Sequence, residues 1–257
     1  MTAFNVTRFH ELLRTETFAR NLVFEPSVGS TMDLARDAAH HGAPEGTLAL
    51  ADEQTAGRGR LGRSWVAPPA TNLLSTLILR PPQSMLRQIA MAAPLAVVDA
   101  LRDTCGLSSD IKWPNDVQIG GKKLAGVLIE TEIEENRATA LVGTGINVNV
   151  DTRKIEEIAD IATSLAAELG RQIEREPLLA SYLLNFERLY TEALAGVSPR
   201  GRWREALVTL GRRVTATQSG GITEGVAEDV DDGGSLLVRT DDGRLIAVEA
   251  GDVTLRT

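Results

Sequence analysis

The sequence predicts a mixed α/β fold, with a central mixed sheet flanked by helices and then a small antiparallel barrel. Three observations carry this. Apolar strand-like runs alternate with helical stretches as far as Val150, the hydrophobic period is helical from Ile161, and after Gly211 valines alternate with polar residues through five short segments. At 257 residues there is room for one large domain and one small, read as a short extension at 1–25, a main domain at 26–210 and the barrel at 211–257.

Each element has its own signal. Residues 1–25 carry charges throughout and lack the apolar core of a signal peptide, so a polar extension is expected, with a turn or two of helix around Phe9, Leu12 and Leu13. Ser30-Thr-Met-Asp33 has the spacing of a capping box, and Leu34, Ala35, Ala38 and Ala39 follow at helical intervals until Gly42. A helix is therefore predicted over 31–41, with Ser30 or Thr31 as N-cap. Strands are predicted over 47–53 and 71–79, the second apolar enough to be covered on both faces. Residues 84–105 read as a long buried helix, kinked or broken at Pro94. A strand at 111–113, a turn at Pro114-Asn115-Asp116 and a hairpin of 117–119 with 122–131 through Gly120-Gly121 come next. The strand over 139–150 carries Gly143 and Gly145, a density that suggests close approach by a ligand or another backbone. Helices over 163–169, 177–194 and 199–210 precede barrel strands near 212–217, 225–230, 235–240, 244–249 and 252–256.

A formal net charge of -8 and a pI near 5.1 argue against nonspecific binding to nucleic acid or anionic membrane. The single cysteine, Cys105, fits a reducing compartment, and no apolar run reads as membrane-spanning, so a cytoplasmic protein is expected.

Against that acidity stands Gln54 to Trp65, QTAGRGRLGRSW. Between Gln54 and Val98 there are five arginines and no Asp or Glu, and the glycines free the loop backbone to wrap an anion. Gly57-Arg-Gly-Arg-Leu-Gly62 matches the dinucleotide fingerprint formally, but Pro68 and Pro69 forbid the helix that should receive a pyrophosphate. A Walker A loop is excluded by the missing Gly-Lys-Ser/Thr. Taken alone the loop is a solvated basic turn.

Three stretches change that reading: GRGRLGR, Lys112-Trp-Pro-Asn-Asp116 with Lys123-Leu-Ala-Gly126, and Gly143-Thr-Gly-Ile-Asn147. In this order they closely resemble biotin protein ligases, which attach biotin to a lysine of carboxylase carrier domains. The resemblance covers residues 28–257, and the short N-terminus resembles the monofunctional class without a DNA-binding domain. It implies a class II synthetase-like catalytic domain over 26–210 that binds biotin and ATP, followed by an SH3-like barrel. The implied reaction has two steps: biotin and ATP give biotinyl-5'-AMP and pyrophosphate, then the biotinyl group passes to a lysine. Biotin contacts are implied for Ser30, Thr31, Met32, Gln54, Arg58, Gly59, Arg60, Lys123, Gly126 and Gly145. ATP contacts fall to Arg58, Arg60, Arg63, Trp65, Asn115, Lys123 and Asn147, and Mg2+ to Asp116. Catalysis falls to Lys123, Arg60 and Arg58, with Gly143 in the floor of the site. Met32 departs from the Asn of many relatives, which leaves its backbone to serve biotin. The implied partner is the carrier domain of acyl-CoA or pyruvate carboxylase, with no nucleic acid, no membrane, and a monomer or weak homodimer as the working unit.

The physical case agrees. Two anions, a carboxylate and an α-phosphate, must be brought together, and one preorganised donor at such a centre is worth about 3–4 kcal/mol. No activated nucleophile is needed, and His40 and His41 at a helix end and His10 in the extension offer none. Lys112 and Trp113 read either as a strand end with a buried indole or as substrate-positioning residues. A lipoate ligase is the nearest rival, with a different arginine and glycine motif; a noncatalytic nucleic-acid-binding module is the other.

Overall fold

The computed structural model describes residues 2–134, 137–218, 221–249 and 251–255. Seven strands form one sheet in the order β1-β2-β3-β7-β6-β5-β4, namely β1 (Leu22–Val28), β2 (Leu48–Gln54), β3 (Leu73–Leu79), β4 (Asp110–Lys112), β5 (Asp116–Ile119), β6 (Lys122–Glu134) and β7 (Arg137–Ile146). Only the β1–β2 pair is parallel. Every residue of β3 is buried, as its continuous apolar run requires of a strand covered on both faces. One cover is α2 (Thr31–His40), which packs Met32 and Ala35 against Ala49, Ile78 and Leu141. The other is formed by α1 (Val6–Leu12), α3 (Leu86–Cys105) and α5 (Arg175–Leu194), whose apolar faces join the main core.

Gly120 and Gly121 both take positive φ, 57° and 79°, and close the β5–β6 hairpin as a two-residue turn. Helix α3 runs through Pro94 as a single element, so of the kink or break that the sequence suggested, the break does not occur. Pro94 is itself buried, and the packing of this helix on α5 and the sheet outweighs the roughly 3 kcal/mol that an interior proline costs. By length and hydropathy residues 83–105 would also suffice to cross a bilayer; here most of that surface is buried inside the protein.

Residues 1–25 differ from the expected polar extension. Phe4, Phe9, Leu13 and Phe18 are core residues, and Leu22 already opens β1. That strand contains Pro26. It sits at an open edge, outside the ladder register, where the missing N–H costs nothing. The N-terminal segment is held by a buried ion pair, Arg175 Nη1 to Asp52 Oδ1 at 2.8 Å. The Asp52 carboxylate also accepts the Phe4 N–H at 3.0 Å, while Arg175 donates to the carbonyls of Asn72 and Thr2 at 3.0 and 3.1 Å.

After α4 (Leu165–Leu169) and α5, the helix expected over 199–210 is shorter, α6 (Arg200–Glu205). Its continuation turns alongside β4 instead, with the Ile111 N–H donating to the Ala206 carbonyl at 2.8 Å. The C-terminal sheet has the order β11-β10-β9-β8-β12, from β8 (Arg213–Gln218), β9 (Gly221–Val230), β10 (Leu236–Arg239), β11 (Leu245–Val248) and β12 (Asp252–Leu255). Its inward residues Val214, Ala227, Val238 and Val253 share one core with Met91, Ile111, Trp113 and Trp203. Trp113 Nε1 donates to the Gly234 carbonyl at 2.9 Å, which makes this indole a structural joint.

Asp52→Ala leaves Arg175 charged and buried, so a loss of about 3–5 kcal/mol is expected in urea unfolding. An unchanged midpoint would mean that the guanidinium is satisfied by carbonyls alone.

Candidate active site

The site lies where the sheet has lost its side chains. Gly126 on β6 is the direct cross-strand partner of Gly145 on β7, and Gly143 pairs with Leu128 two residues along. A Cβ on Gly145 would come within 2.6 Å of Trp65 Cε2, and one on Gly143 within 2.7 Å of Met32 Sδ. These glycines floor a cavity of about 450 Å³ that is also lined by Ser30, Gln54, Arg60, Trp65, Asn115 and Lys123.

One wall is the start of α2. Ser30 caps the helix, its Oγ accepting the Met32 N–H at 3.3 Å. Gln54, at the end of β2, turns Oε1 to accept from the Thr31 N–H at 2.7 Å and the Thr31 hydroxyl at 2.9 Å. Thr76 donates to the same hydroxyl at 2.9 Å, so Ser30, Thr31 and Gln54 form one hydrogen-bonded unit rather than a bare cap.

The opposite wall is the arginine loop, closed by its own short ladder. Trp65 N–H donates to the Gly57 carbonyl at 2.9 Å and Gly59 N–H to the Arg63 carbonyl at 2.7 Å. Gly57 admits no side chain, because a Cβ would stand 2.5 Å from the Trp65 carbonyl oxygen. At the tip, residues 60–62 make one 3-10 turn with Leu61 and Gly62 at φ 55° and 73°. Acidic partners for the loop come from far away in sequence. Arg58 forms a bidentate pair with Asp33 at 2.7 and 2.8 Å and lies 3.8 Å from Glu130. Arg58 thereby holds the Asp33 carboxyl below its ordinary range, so the pair is intact at neutral pH and is lost only as pH falls through that depressed value. Arg60 donates to Asn115 Oδ1 at 3.1 Å and to the Gly251 carbonyl at 3.0 Å. Arg63 lines the cavity.

Lys123 enters from β6, with Nζ 2.7 Å from Asp116 Oδ1 and 5.4 Å from the centre of the Trp65 ring. The Trp65 Nε1 atom is buried and has no partner among the described residues. Five cations, Arg58, Arg60, Arg63, Lys112 and Lys123, line the cavity against two carboxylates, Asp116 and Asp160. The site is thus electropositive within an acidic protein, and it can receive anions.

The structure gathers every sequence-derived site residue around this cavity, with different engagements. The Asn147 amide is used internally, accepting from Asn72 at 2.9 Å and donating to the Thr163 carbonyl at 3.1 Å. Sequence reasoning missed Asp33 and Glu130 as partners of the loop, the Gly251 carbonyl, and the segment carrying Ile158, Asp160, Ile161 and Ala162. That segment is fastened to Lys123, whose N–H donates to the Ile161 carbonyl at 2.8 Å. Its one sequence signal is the three-residue spacing of Ile155, Ile158 and Ile161. His40 and His41 sit outside the cavity beside Glu132 and Asp37.

Comparison with known proteins agrees with this geometry. Residues 24–147 match the Biotin/lipoate A/B protein ligase family and residues 209–256 the Biotin protein ligase C terminal domain. The chain is 38% identical over 237 residues to the bifunctional ligase/repressor BirA of Bacillus subtilis, a match covering 90% of this chain and 73% of that one. It is 34% identical to the biotin acetyl-CoA-carboxylase ligase of Mycobacterium tuberculosis, with 91% and 88% covered. Among solved structures, a biotin protein ligase from Aquifex aeolicus in complex with biotin and ATP superposes with a TM-score of 0.78 at 29% identity, covering 92% of this chain and 99% of that one. The chain belongs to the biotin protein ligases, enzymes that activate biotin with ATP to biotinyl-5'-AMP and transfer it to a lysine of a carboxylase carrier domain.

Proposed function

We propose that this cavity carries out both half-reactions, with Lys123 and Arg60 as the catalytic charges; the observation that carries the reading is their convergence over the paired glycines. In the first step an oxygen of the biotin carboxylate attacks the α-phosphorus, the bond from that phosphorus to the bridging oxygen breaks, and pyrophosphate leaves. Lys123 lies between carboxylate and phosphate and offsets their repulsion, and Arg60 with Arg63 takes up charge on the phosphates. Ser30, Thr31 and Gln54 give biotin its polar contacts, with Met32 contributing backbone and an apolar flank. Gly126, Gly143 and Gly145 admit its rings beside Trp65, and Gly59 lets the loop backbone come close. Asn115 and Asn147 hold the ATP side of the site. Ile158 and Ile161 offer an apolar surface to the nucleobase, the exposure of Ile161 being 64%. In the second step the neutral amine of the acceptor lysine attacks the carbonyl carbon of the mixed anhydride, the bond to the phosphate oxygen breaks, AMP leaves, and the amine loses its proton.

Magnesium fits as an ion carried by the triphosphate. No group of three His, Cys, Asp or Glu is gathered among the described residues, and an ion that keeps most of its waters needs only one or two protein carboxylates. Asp116 is the carboxylate that would hold it, and the ion would supply charge to the phosphates. The partner is the biotin carboxyl carrier domain of acyl-CoA carboxylase or pyruvate carboxylase. The enzyme works in the cytoplasm as a monomer or weak homodimer, apart from membranes; its net charge of -8 disfavours nucleic acid.

Biotin-dependent exchange of labelled pyrophosphate into ATP tests the first step, and exchange driven by lipoate instead would overturn the substrate. Lys123→Ala should lower that exchange by about a hundredfold to a thousandfold while leaving thermal unfolding unchanged. Full activity in this variant would remove Lys123 from the mechanism. Gly145→Ala should weaken biotin binding about tenfold in calorimetry, because the new methyl collides with Trp65 and overpacks the floor. Unaltered affinity would show that the indole yields freely.

A further inference from the structure

We propose that Asp33 is a positioning residue for the ligation reaction, gripping the Arg58 fork from the first turn of α2 and so holding the arginine loop over the adenylate. This rests on the reading that the loop encloses the activated intermediate and excludes water from it.

The geometry is that of a latch. Arg58 Nη1 and Nη2 reach Asp33 Oδ2 and Oδ1 at 2.8 and 2.7 Å, the two parallel bonds that a planar guanidinium makes best with a carboxylate. Glu130 approaches Nε from β6 at 3.8 Å. The fork is therefore matched by carboxylates of the protein itself and has no need of a substrate anion. Arg36 braces the arrangement, donating to Asp33 Oδ1 at 2.9 Å while also binding Glu130. Asp33 directly follows Ser30, Thr31 and Met32, so the helix start that lines the cavity is also the one that holds the loop. Binding wall and latch move as one piece.

Polar contacts, more than burial, keep the loop closed. None of residues 60–62 is buried, Leu61 at the tip is 71% exposed, and the far side is fastened by Arg60 to Asn115 and to the Gly251 carbonyl. Trp65 anchors the end of the loop over Gly126 and Gly145, and polar fastenings at Arg58 and Arg60 hold the part before it, so releasing one of them loosens that half of the cover. An exposed ion pair contributes little to global stability. Its loss should be felt in retention of the intermediate rather than in unfolding.

The test loads the enzyme with labelled biotin and ATP, removes free substrate by gel filtration, and follows escape of biotinyl-5'-AMP. Asp33→Asn keeps the size and removes the charge; escape should rise about fivefold, with KM for biotin rising by a similar factor and kcat of pyrophosphate exchange falling less than about twofold. Asp33→Glu should restore most of the retention. Arg58→Gln should raise escape at least as much as Asp33→Asn, and in the double variant escape should be no faster than in the faster single. Arg36→Gln, which removes the other partner of Asp33, should retain the adenylate within about twofold of wild type. Unchanged escape in Asp33→Asn, effects that multiply in the double variant, or an equal loss in Arg36→Gln would each overturn the proposal. A wild-type enzyme that loses adenylate during mixing would instead sink the enclosure reading, a result that no variant is needed to recognise.

Discussion

Everything in the site depends on two glycines that face each other across β6 and β7. Gly126 and Gly145 remove a cross-strand pair of side chains from an otherwise filled sheet, and the hollow they leave admits Trp65 from one side and Lys123 from another. A sheet is a poor place for a cavity, because alternating side chains normally cover both faces. Here the backbone stays fully laddered while the space above it is empty of Cβ atoms, which combines a rigid floor with room for a ligand. Lys123 reaches that space because the β5–β6 pairing shifts register between Val117 and Gln118, close to its own position opposite Gln118.

Five cations around one cavity repel one another, and the structure answers this with fixed partners of different strength. Arg58 has carboxylates on its fork, Lys123 has one, and Arg60 is met by an amide oxygen and a main-chain carbonyl. Arg58, with a bidentate carboxylate on its fork, is thereby tied to the first turn of α2. Arg60 is held at the cavity wall through Asn115 and the Gly251 carbonyl. Partners of this kind hold donors in place before the anions arrive, which is where electrostatic catalysis gains most over water.

Much of this was legible in the sequence, for reasons that differ by residue. Ser30 as a cap, the two-residue turn at Gly120-Gly121 and the doubly covered strand at 73–79 each follow from a local rule that a single physical effect decides. Pro26 in β1 and Pro94 in α3 are tolerated for the opposite reason: a local penalty is outvoted by position, an open edge in one case and a large packed face in the other. The residues at 1–25 read as polar because their charges are frequent, yet Phe9 from α1 and Phe4 and Phe18 from irregular backbone reach one core, a pattern with no fixed period. Among site residues, motifs found those on β6 and β7. They could not find Asp33 as the partner of Arg58, since nothing local to either residue encodes a contact across 25 positions of chain.

The C-terminal sheet looks separable in sequence, with its own composition and period, but its physical chemistry is joined to the site at two depths. Below, Trp113 gives its indole N–H to Gly234 and shares a core with Val214 and Val238, so the motif containing Asn115 and Asp116 is built on the junction itself. Above, the Gly251 carbonyl receives Arg60. A displacement of the sheet would therefore move the turn that positions Asn115 and would also loosen the far fastening of the arginine loop. Because Asn115 and Gly251 bind the same guanidinium, the two effects meet at Arg60. The sheet is therefore tied to the cavity wall at that one side chain as well as through Trp113.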